Sequence, residues 1–368
     1  MSVLIICEKP SVAKTVALAL GAAEQKDGYL SGDGLLVSWC IGHLISMADA
    51  GSYDERYKKW RYEDLPILPQ TWKYAPTPGK EKQLAILKEL LHRSDVSEVV
   101  NGCDAGREGE LIFRFVYEQA GCTKPFSRLW ISSMEDSAIR EGFAGRRAGT
   151  EYDALYQSAL CRARADWLVG INATRLFSVL YHKTLNVGRV LSPTLNLLVE
   201  RDGKITMFHK EKYHIVHIGC GGVDAESERI SDAAAADALK TACEASQAIC
   251  ISLKKEKKTA LPPKLFDLTS LQREANRVYG FTAKQTLDYA QSLYEKRFLT
   301  YPRTDSNYLT EDMAQTATDL VAALLPVLPF MQGAELKPEI GRVINSAKVS
   351  DHHAIIPTAA FAGNGLNG

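Results

Sequence analysis

The ten residues Ser2-Val3-Leu4-Ile5-Ile6-Cys7-Glu8-Lys9-Pro10-Ser11 decide the fold of this chain. A short apolar, β-branched run reads as a buried strand. The Glu-Lys-Pro-Ser turn behind it leads into a helix through Val12 to Gly21, with Ser11 as its cap. The same grammar recurs a hundred residues on. Residues 97–103 (SEVVNGC) read as a second strand, followed by Asp104-Ala105-Gly106-Arg107-Glu108-Gly109-Glu110 and then an apolar-periodic helix, LIFRFVYEQAG, ending near Gly121. Strands alternating with helices argue for a mostly parallel α/β domain. In such sheets ligands collect beyond the carboxyl ends of the strands, and Glu8 and Asp104 both fall there.

Outward from this domain the pattern changes. Residues 151–205 read as helical. Residues 211–258 look β-rich and peripheral, with EKYHIVHIGC and AICISLKKEKK as strands around a helix in DAAAADALKTACEAS. Thr259 to Pro263 reads as a linker. Helices follow in LTSLQREANRVYG, in TAKQTLDYAQSLYEK and near 311–325. No internal repeat is visible.

A length of 368 residues implies two or more domains. With 46% hydrophobic and 24% charged residues the composition is that of a soluble globular protein. No apolar run is long enough to cross a bilayer, and MSVLIICEKPS lacks the basic start of a signal peptide. Eight scattered cysteines form no CxxC pair, which argues against structural zinc and a disulfide framework and fits a reducing cytoplasm. The formal net charge is zero, so no global basic footprint announces nucleic acid. Local basic groups exist at Arg162/Arg164, at Arg189, at Lys254 to Lys258 and at Lys296/Arg297/Arg303. The lysines at 254–258 read as a solvated strand end. Trp39, Trp60, Trp72, Trp130 and Trp167 read as core.

Two constellations carry chemistry. Thr300-Tyr301-Pro302-Arg303-Thr304-Asp305-Ser306 puts a tyrosine hydroxyl two residues from an arginine. Tyrosine can form a covalent intermediate, and the planar guanidinium matches phosphate oxygens. Pro302 biases Tyr301 toward extended backbone. At the other constellation, Glu8 and Asp104 would repel unless a hard divalent cation lay between them. Lys9, Arg107 and the glycines of DAGREGE suit phosphate. The chain has no GxxxxGK[ST] loop.

The motifs Glu8-Lys9-Pro10-Ser11 and DAGREGE resemble a Toprim metal site. Together with GHL (42–44), RARADWLVG (162–170), VGRVLSPTL (187–195), LTSLQREA (268–275), TYPRTDS (300–306) and DHHAIIPT (351–358), in that order, they resemble the type IA DNA topoisomerases, the topoisomerase III branch most of all. The resemblance implies a multidomain α/β plus α fold: a Toprim metal-binding domain over 1–150, a helical DNA-binding segment over 151–205, a β-rich arch segment and linker over 206–262, and a helical domain with the catalytic tyrosine over 263–368. It implies Tyr301 as the nucleophile that becomes a 5′-phosphotyrosine, Arg303 and Lys9 at the phosphate, Glu8 in proton transfer, and His352 near the cleaved strand. Magnesium is implied as cofactor on Glu8, Asp104 and Glu108, with Glu110 a more distant acidic match. Arg162 and Asp166 match a charged pair by the DNA groove, although an i,i+4 surface pair would look the same. Val187, Gly188, Arg189, Val190, Leu191 and Ser192 match a segment that contacts single-stranded DNA.

The implied activity is ATP-independent cleavage and rejoining of one DNA strand, relaxing negative supercoils or decatenating. The implied partners are DNA, above all single-stranded, and a helicase or a missing C-terminal segment; no membrane is implied, and the location is cytoplasmic, on the bacterial nucleoid. Two departures stand out. Many relatives read DxDxE where this chain has Gly106, which predicts weaker or single-metal binding; Leu191 stands where glutamine is frequent. The chain also stops just after the histidine motif, which predicts an incomplete toroid, a truncated C-terminus and impaired strand passage. The competing expectations are an inactive single-stranded DNA-binding remnant and a Toprim-type magnesium-dependent nuclease or primase-like transferase.

Overall fold

A computed structural model of the chain describes residues 1–132, 134–328, 338–349 and 352–364. These divide into two compact units, one of residues 1–188 with 263–368 and one of residues 189–262.

In the first unit, strand β1 (Ser2–Cys7) is followed by helix α1 (Pro10–Leu20), β2 (Glu24–Lys26), β3 (Tyr29–Gly32), β4 (Leu35–Trp39), β5 (Ile45–Met47) and β6 (Tyr74–Pro76). Then come α2 (Glu81–His92), β7 (Val96–Gly102), α3 (Arg107–Gln119), β8 (Phe126–Arg128), α4 (Asp136–Ala144), β9 (Arg147–Ala148) and the long α5 (Asp153–Leu180). Seven strands form one sheet in the order β2-β3-β4-β1-β7-β8-β9. Its centre, β4-β1-β7-β8, is parallel and its margins are antiparallel. Cys7 pairs with Trp39 on one side and Gly102 on the other. The residues that follow, Glu8 and the Cys103–Asp104 turn, therefore leave the sheet at one edge.

The central strands are buried on both faces, which is why they read as unbroken apolar runs. Leu4 and Ile6 pack on one side with Leu87, Phe113 and Val116. Ile5 and Cys7 pack on the other with Val12, Val16 and Ile139. That second cluster also takes in Tyr294 and Tyr301 from far along the chain. The later part of the unit holds α8 (Leu268–Tyr279), α9 (Ala283–Glu295), α10 (Ala314–Leu324) and α11 (Ala359–Asn364). Both α8 and α9 begin in capping boxes, on Asp267 and Thr282.

The second unit contains α6 (Leu191–Thr206), a hairpin of β10 (His217–Cys220) and β11 (Val223–Glu226), and α7 (Ala233–Glu244).

Several local expectations are corrected. Ser11 does not cap α1: Pro10 occupies the first turn, where its missing N–H costs nothing, and extended Lys9 is the N-cap. Helix α3 starts at Arg107, four residues before the apolar run, so Glu108 and Glu110 lie on it. AICISLKKEKK forms no strand; Ile249, Ile251 and Leu253 are strongly exposed and the segment has no ladder partner among the described residues. None of the five tryptophans is fully buried, and Trp60 is 44% exposed. The end of the chain read from sequence as a loop falls largely outside the described residues.

Candidate active site and metal centre

The site begins with the turn after β7. Arg128, fully buried at the end of β8, grips this turn by its carbonyls. Its Nη1 donates to the Asn101, Cys103 and Leu129 oxygens at 3.0, 2.7 and 2.9 Å, and Nη2 donates to the Asp104 oxygen at 2.7 Å. The Arg128 Nε lies 2.7 Å from Glu110 Oε1. Glu110, 1% exposed, also accepts from Asn101 Nδ2 at 2.9 Å and from Arg114 Nε at 3.3 Å. Glu110 is therefore engaged in the buried frame of the turn, and the sequence reading that grouped it with the metal site is corrected: as the fourth residue of α3 it faces inward. Burial raises its carboxyl above the ordinary range despite both guanidiniums, as expected for an ion pair that satisfies geometry at a desolvation cost.

Two glycines allow the turn to close. A Cβ on Gly109 would lie 2.1 Å from the Asp104 carbonyl oxygen, so α3 can approach the turn only with glycine there. Gly106 has φ 154° and ψ 172°, a region that side chains other than hydrogen avoid.

Asp104 and Glu8 meet across the strand ends. The Asp104 backbone and carboxylate lie close enough to the Glu8 carboxyl to act on its protonation. Burial first, and then the Asp104 charge, raise the Glu8 carboxyl above its ordinary range, while Lys9 and Arg303 pull it down. Lys9 and Arg303 are thereby placed within electrostatic reach of this carboxylate.

Tyr301 arrives on the extended segment between α9 and α10. Its backbone N–H donates to the Ser132 oxygen at 3.4 Å, and its Oη donates to Asp104 Oδ2 at 3.0 Å, joining positions 197 residues apart. The ring lies 4.3 Å from the His352 imidazole and meets Tyr294 edge-on at 5.3 Å. His352 Nδ1 is 3.3 Å from Ser132 Oγ, and its carbonyl accepts from Thr304 Oγ1 at 2.8 Å. Burial, the Asp104 charge and hydrogen bond, and the Glu8 charge push the Tyr301 hydroxyl far above its ordinary value; Arg303 opposes them.

Glu108 points elsewhere. It pairs with Arg162 of α5 and with His43 Nε2 at 3.5 Å. Of the three carboxylates expected at the metal, Glu8 and Asp104 converge, and Glu108 is paired with Arg162 and lies beside the His43 imidazole. No group of three His, Cys, Asp or Glu side chains suited to a metal ion occurs among the described residues. Two hard oxygen donors still fit magnesium, which takes one or two carboxylates and fills its remaining positions with water and phosphate oxygens.

Of the other expected residues, Val187 is anchored to Thr174 Oγ1, to which its N–H donates at 2.9 Å. Arg189, Val190, Leu191 and Ser192 belong to the second unit, where Val190 and Leu191, at the start of α6, are exposed. Asp166 is partly buried on α5, one turn beyond Arg162.

Sequence reasoning missed Arg128, Ser132 and Tyr294. It also missed a cavity of about 830 Å³ lined by Lys58, Trp60, Thr174, Arg175 and Asn186. There the Arg175 guanidinium stands 5.4 Å from the Trp60 ring, with its Nε buried and without a partner among the described residues. The Arg-Ala-Arg-Ala-Asp motif drew attention to the first half of α5, and no pattern marked the second half.

A family model described as DNA topoisomerase matches residues 150–367. The chain belongs to this family. A Toprim domain model matches residues 3–134 of this topoisomerase chain. It is 42% identical over 369 residues to DNA topoisomerase 3 of Bacillus subtilis and 41% identical over 369 residues to DNA topoisomerase 3 of Shouchella clausii, in each case over 96% of this chain and 50% of the relative. The chain thus spans about half the length of the curated relatives it matches. Among solved structures, full-length topoisomerase I from Thermotoga maritima superposes with a TM-score of 0.66 at 26% identity, over 99% of this chain and 57% of that one. The architecture is that of a Toprim α/β domain joined to helical topoisomerase domains.

Proposed function

We propose that this chain carries the cleavage and rejoining chemistry of a type IA, topoisomerase III-like enzyme, acting on single-stranded DNA in the cytoplasm without ATP. The observation that carries this reading is the Tyr301–Asp104 hydrogen bond at 3.0 Å, which seats a tyrosine hydroxyl on the acidic edge of a Toprim sheet. In the reaction the Tyr301 Oη–phosphorus bond forms as the phosphorus–O3′ bond breaks, leaving a 5′-phosphotyrosine and a free 3′-hydroxyl. The Tyr301 proton passes to Asp104, which already accepts it in a hydrogen bond. Glu8, its carboxyl raised by burial and by Asp104, holds a proton at higher pH than an ordinary glutamate and gives it to the departing O3′. Arg303 and Lys9 balance charge on the phosphate as it becomes five-coordinate.

With Glu8 in its ionised form, Glu8 and Asp104 would hold Mg2+, which when bound would offset their mutual repulsion and draw in phosphate oxygens. The ester stores the energy of the cleaved bond, so rejoining is the same exchange reversed. Trp60 and Arg175 offer the strand a stacking surface and a cation. The domain limits that fit this reading are a Toprim domain over 1–150, a helical segment over 151–205, an arch segment over 206–262 and a tyrosine domain over 263–368. Relaxation of negative supercoils or decatenation would be the net result.

The test is a single-stranded oligonucleotide labelled at its 3′ end, mixed with the protein with and without magnesium and quenched in denaturant. Label should become attached to the protein, and Tyr301→Phe should abolish that. Cleavage persisting in Tyr301→Phe without any adduct would replace this reading with that of a Toprim nuclease.

A further inference from the structure

Beyond the reaction centre, a second set of charged groups converges around Tyr308. The Lys264 and Lys348 Nζ atoms lie 5.4 and 5.0 Å from the centre of its ring. The three residues come from three stretches of chain whose backbones are tied together. Asn307 Nδ2 donates to the Leu265 carbonyl at 3.0 Å, Ser306 Oγ donates to the Lys348 carbonyl at 2.9 Å, and the Ala354 N–H donates to the Tyr308 carbonyl at 2.9 Å. The convergence is thus built into the fold of the tyrosine segment.

Its electrostatics are incomplete. Two ammonium groups flank one phenol, and among the described residues neither lysine forms an ion pair. The phenol O–H adds a neutral donor beside the two ammonium groups. Two cations and a neutral donor thus lie close together with no carboxylate paired to either lysine among the described residues. The lysines also hold the Tyr308 hydroxyl below its ordinary range, Lys264 more than Lys348, which makes it a better donor. A phosphate group, with several equivalent oxygens and a full charge, satisfies all three. Tyr308 follows Arg303 by five residues, so the two backbones are at most about 17 Å apart at ~3.4 Å per residue.

We propose that Lys264, Tyr308 and Lys348 form a clamp for a backbone phosphate of the DNA strand, a few nucleotides from the one that Tyr301 attacks. This rests on the reading of the chain as an enzyme of single-stranded DNA. The clamp positions the strand and takes no part in bond breaking. It supplies binding energy without base readout, as phosphate contacts do.

The experiment measures binding of a single-stranded oligonucleotide across a salt series, in a Tyr301→Phe background so that no adduct forms. The double variant Lys264→Gln/Lys348→Gln should lower the slope of log K against log salt by about 1.4, two ion pairs at ~0.7 each. Lys264→Arg/Lys348→Arg should restore the slope. Tyr308→Phe should weaken binding with the slope unchanged, because it removes a neutral donor. An unchanged slope in the double variant, with binding intact in the parent, overturns the clamp alone. No salt-dependent binding in the parent overturns the DNA reading, and the clamp with it. At matched ionic strength, inorganic phosphate should leave the difference between parent and double variant in place. If phosphate removes that difference, a free anion occupies the site and the strand assignment is overturned.

Discussion

Replacing Arg128 with methionine tests what holds the catalytic turn. The side chain is fully buried, its guanidinium spans four carbonyls of the Asn101–Asp104 turn and Leu129, and it neutralises Glu110 at 2.7 Å. Methionine fills much of the same volume, so the loss is mainly electrostatic. Removing one partner of a buried ion pair typically costs about 3–5 kcal/mol, against a total stability of about 5–15 kcal/mol. With a urea m-value of about 3 kcal/mol/M, the midpoint should fall by roughly 1–1.7 M. Urea unfolding followed by near-ultraviolet circular dichroism reads this directly. Adding Glu110→Gln should recover a large part of the loss, since no charge is then stranded; Arg114 keeps Asp153 at 2.8 Å. A midpoint shift below about 0.3 M in Arg128→Met, or a double variant that loses the plain sum of the two singles, would show that the guanidinium is not what frames the turn.

Three further outcomes are expected. The Glu8 carboxyl is raised in the folded chain, so folding favours its protonated form; that contribution is complete below the unfolded value of about 4.3 and fades as pH rises through the folded value. In magnesium-free buffer, Glu8→Gln should raise the melting temperature at neutral pH and leave it unaltered near pH 4, and equal melting temperatures at both would refute the sign. Trp60→Ala should weaken single-stranded DNA binding by about 1–3 kcal/mol, or roughly 5- to 150-fold, measured by fluorescence anisotropy; unaltered affinity would remove Trp60 from the strand path. Gly106→Asp should destabilise the chain by about 1–3 kcal/mol because of its backbone torsions, without tightening magnesium binding in a calorimetric titration, and a tighter magnesium site would contradict the geometry.

What the sequence made legible follows from how each residue does its work. Strands β1 and β7 were readable because both faces are buried, leaving unbroken runs such as VLII. Glu8 and Asp104 were readable because a turn after such a strand has few other uses for a carboxylate. Tyr301 and Arg303 were readable only as a pattern, since no periodicity marks an extended segment. Arg128 was invisible because a buried arginine looks like a surface one until its acceptors are known, and those acceptors are backbone carbonyls. The pairing of Glu110 with Arg114 at i,i+4 was the one local hint that Glu110 belongs to the frame and not to the metal. The partners of Glu108, His43 and Arg162, were not legible because they come from segments on either side of it in sequence. The AICISLKKEKK segment misled because alternation describes what a strand needs but cannot supply a neighbouring strand.

The torsions of Gly106 bear on how this sequence can change over generations. In the DxDxE pattern of the family resemblance an aspartate stands at this place, and aspartate to glycine is a single step that any backbone tolerates. The reverse step is not equivalent. An aspartate arriving at Gly106 meets φ 154° and ψ 172°, and the turn cannot relax freely, because Arg128 fixes its carbonyls and Gly109 sits against Asp104. Regaining the carboxylate would need companion changes that free the turn at the same time. The position behaves as a ratchet: drift passes through it easily in one direction, and selection on metal affinity alone has no single-residue path back.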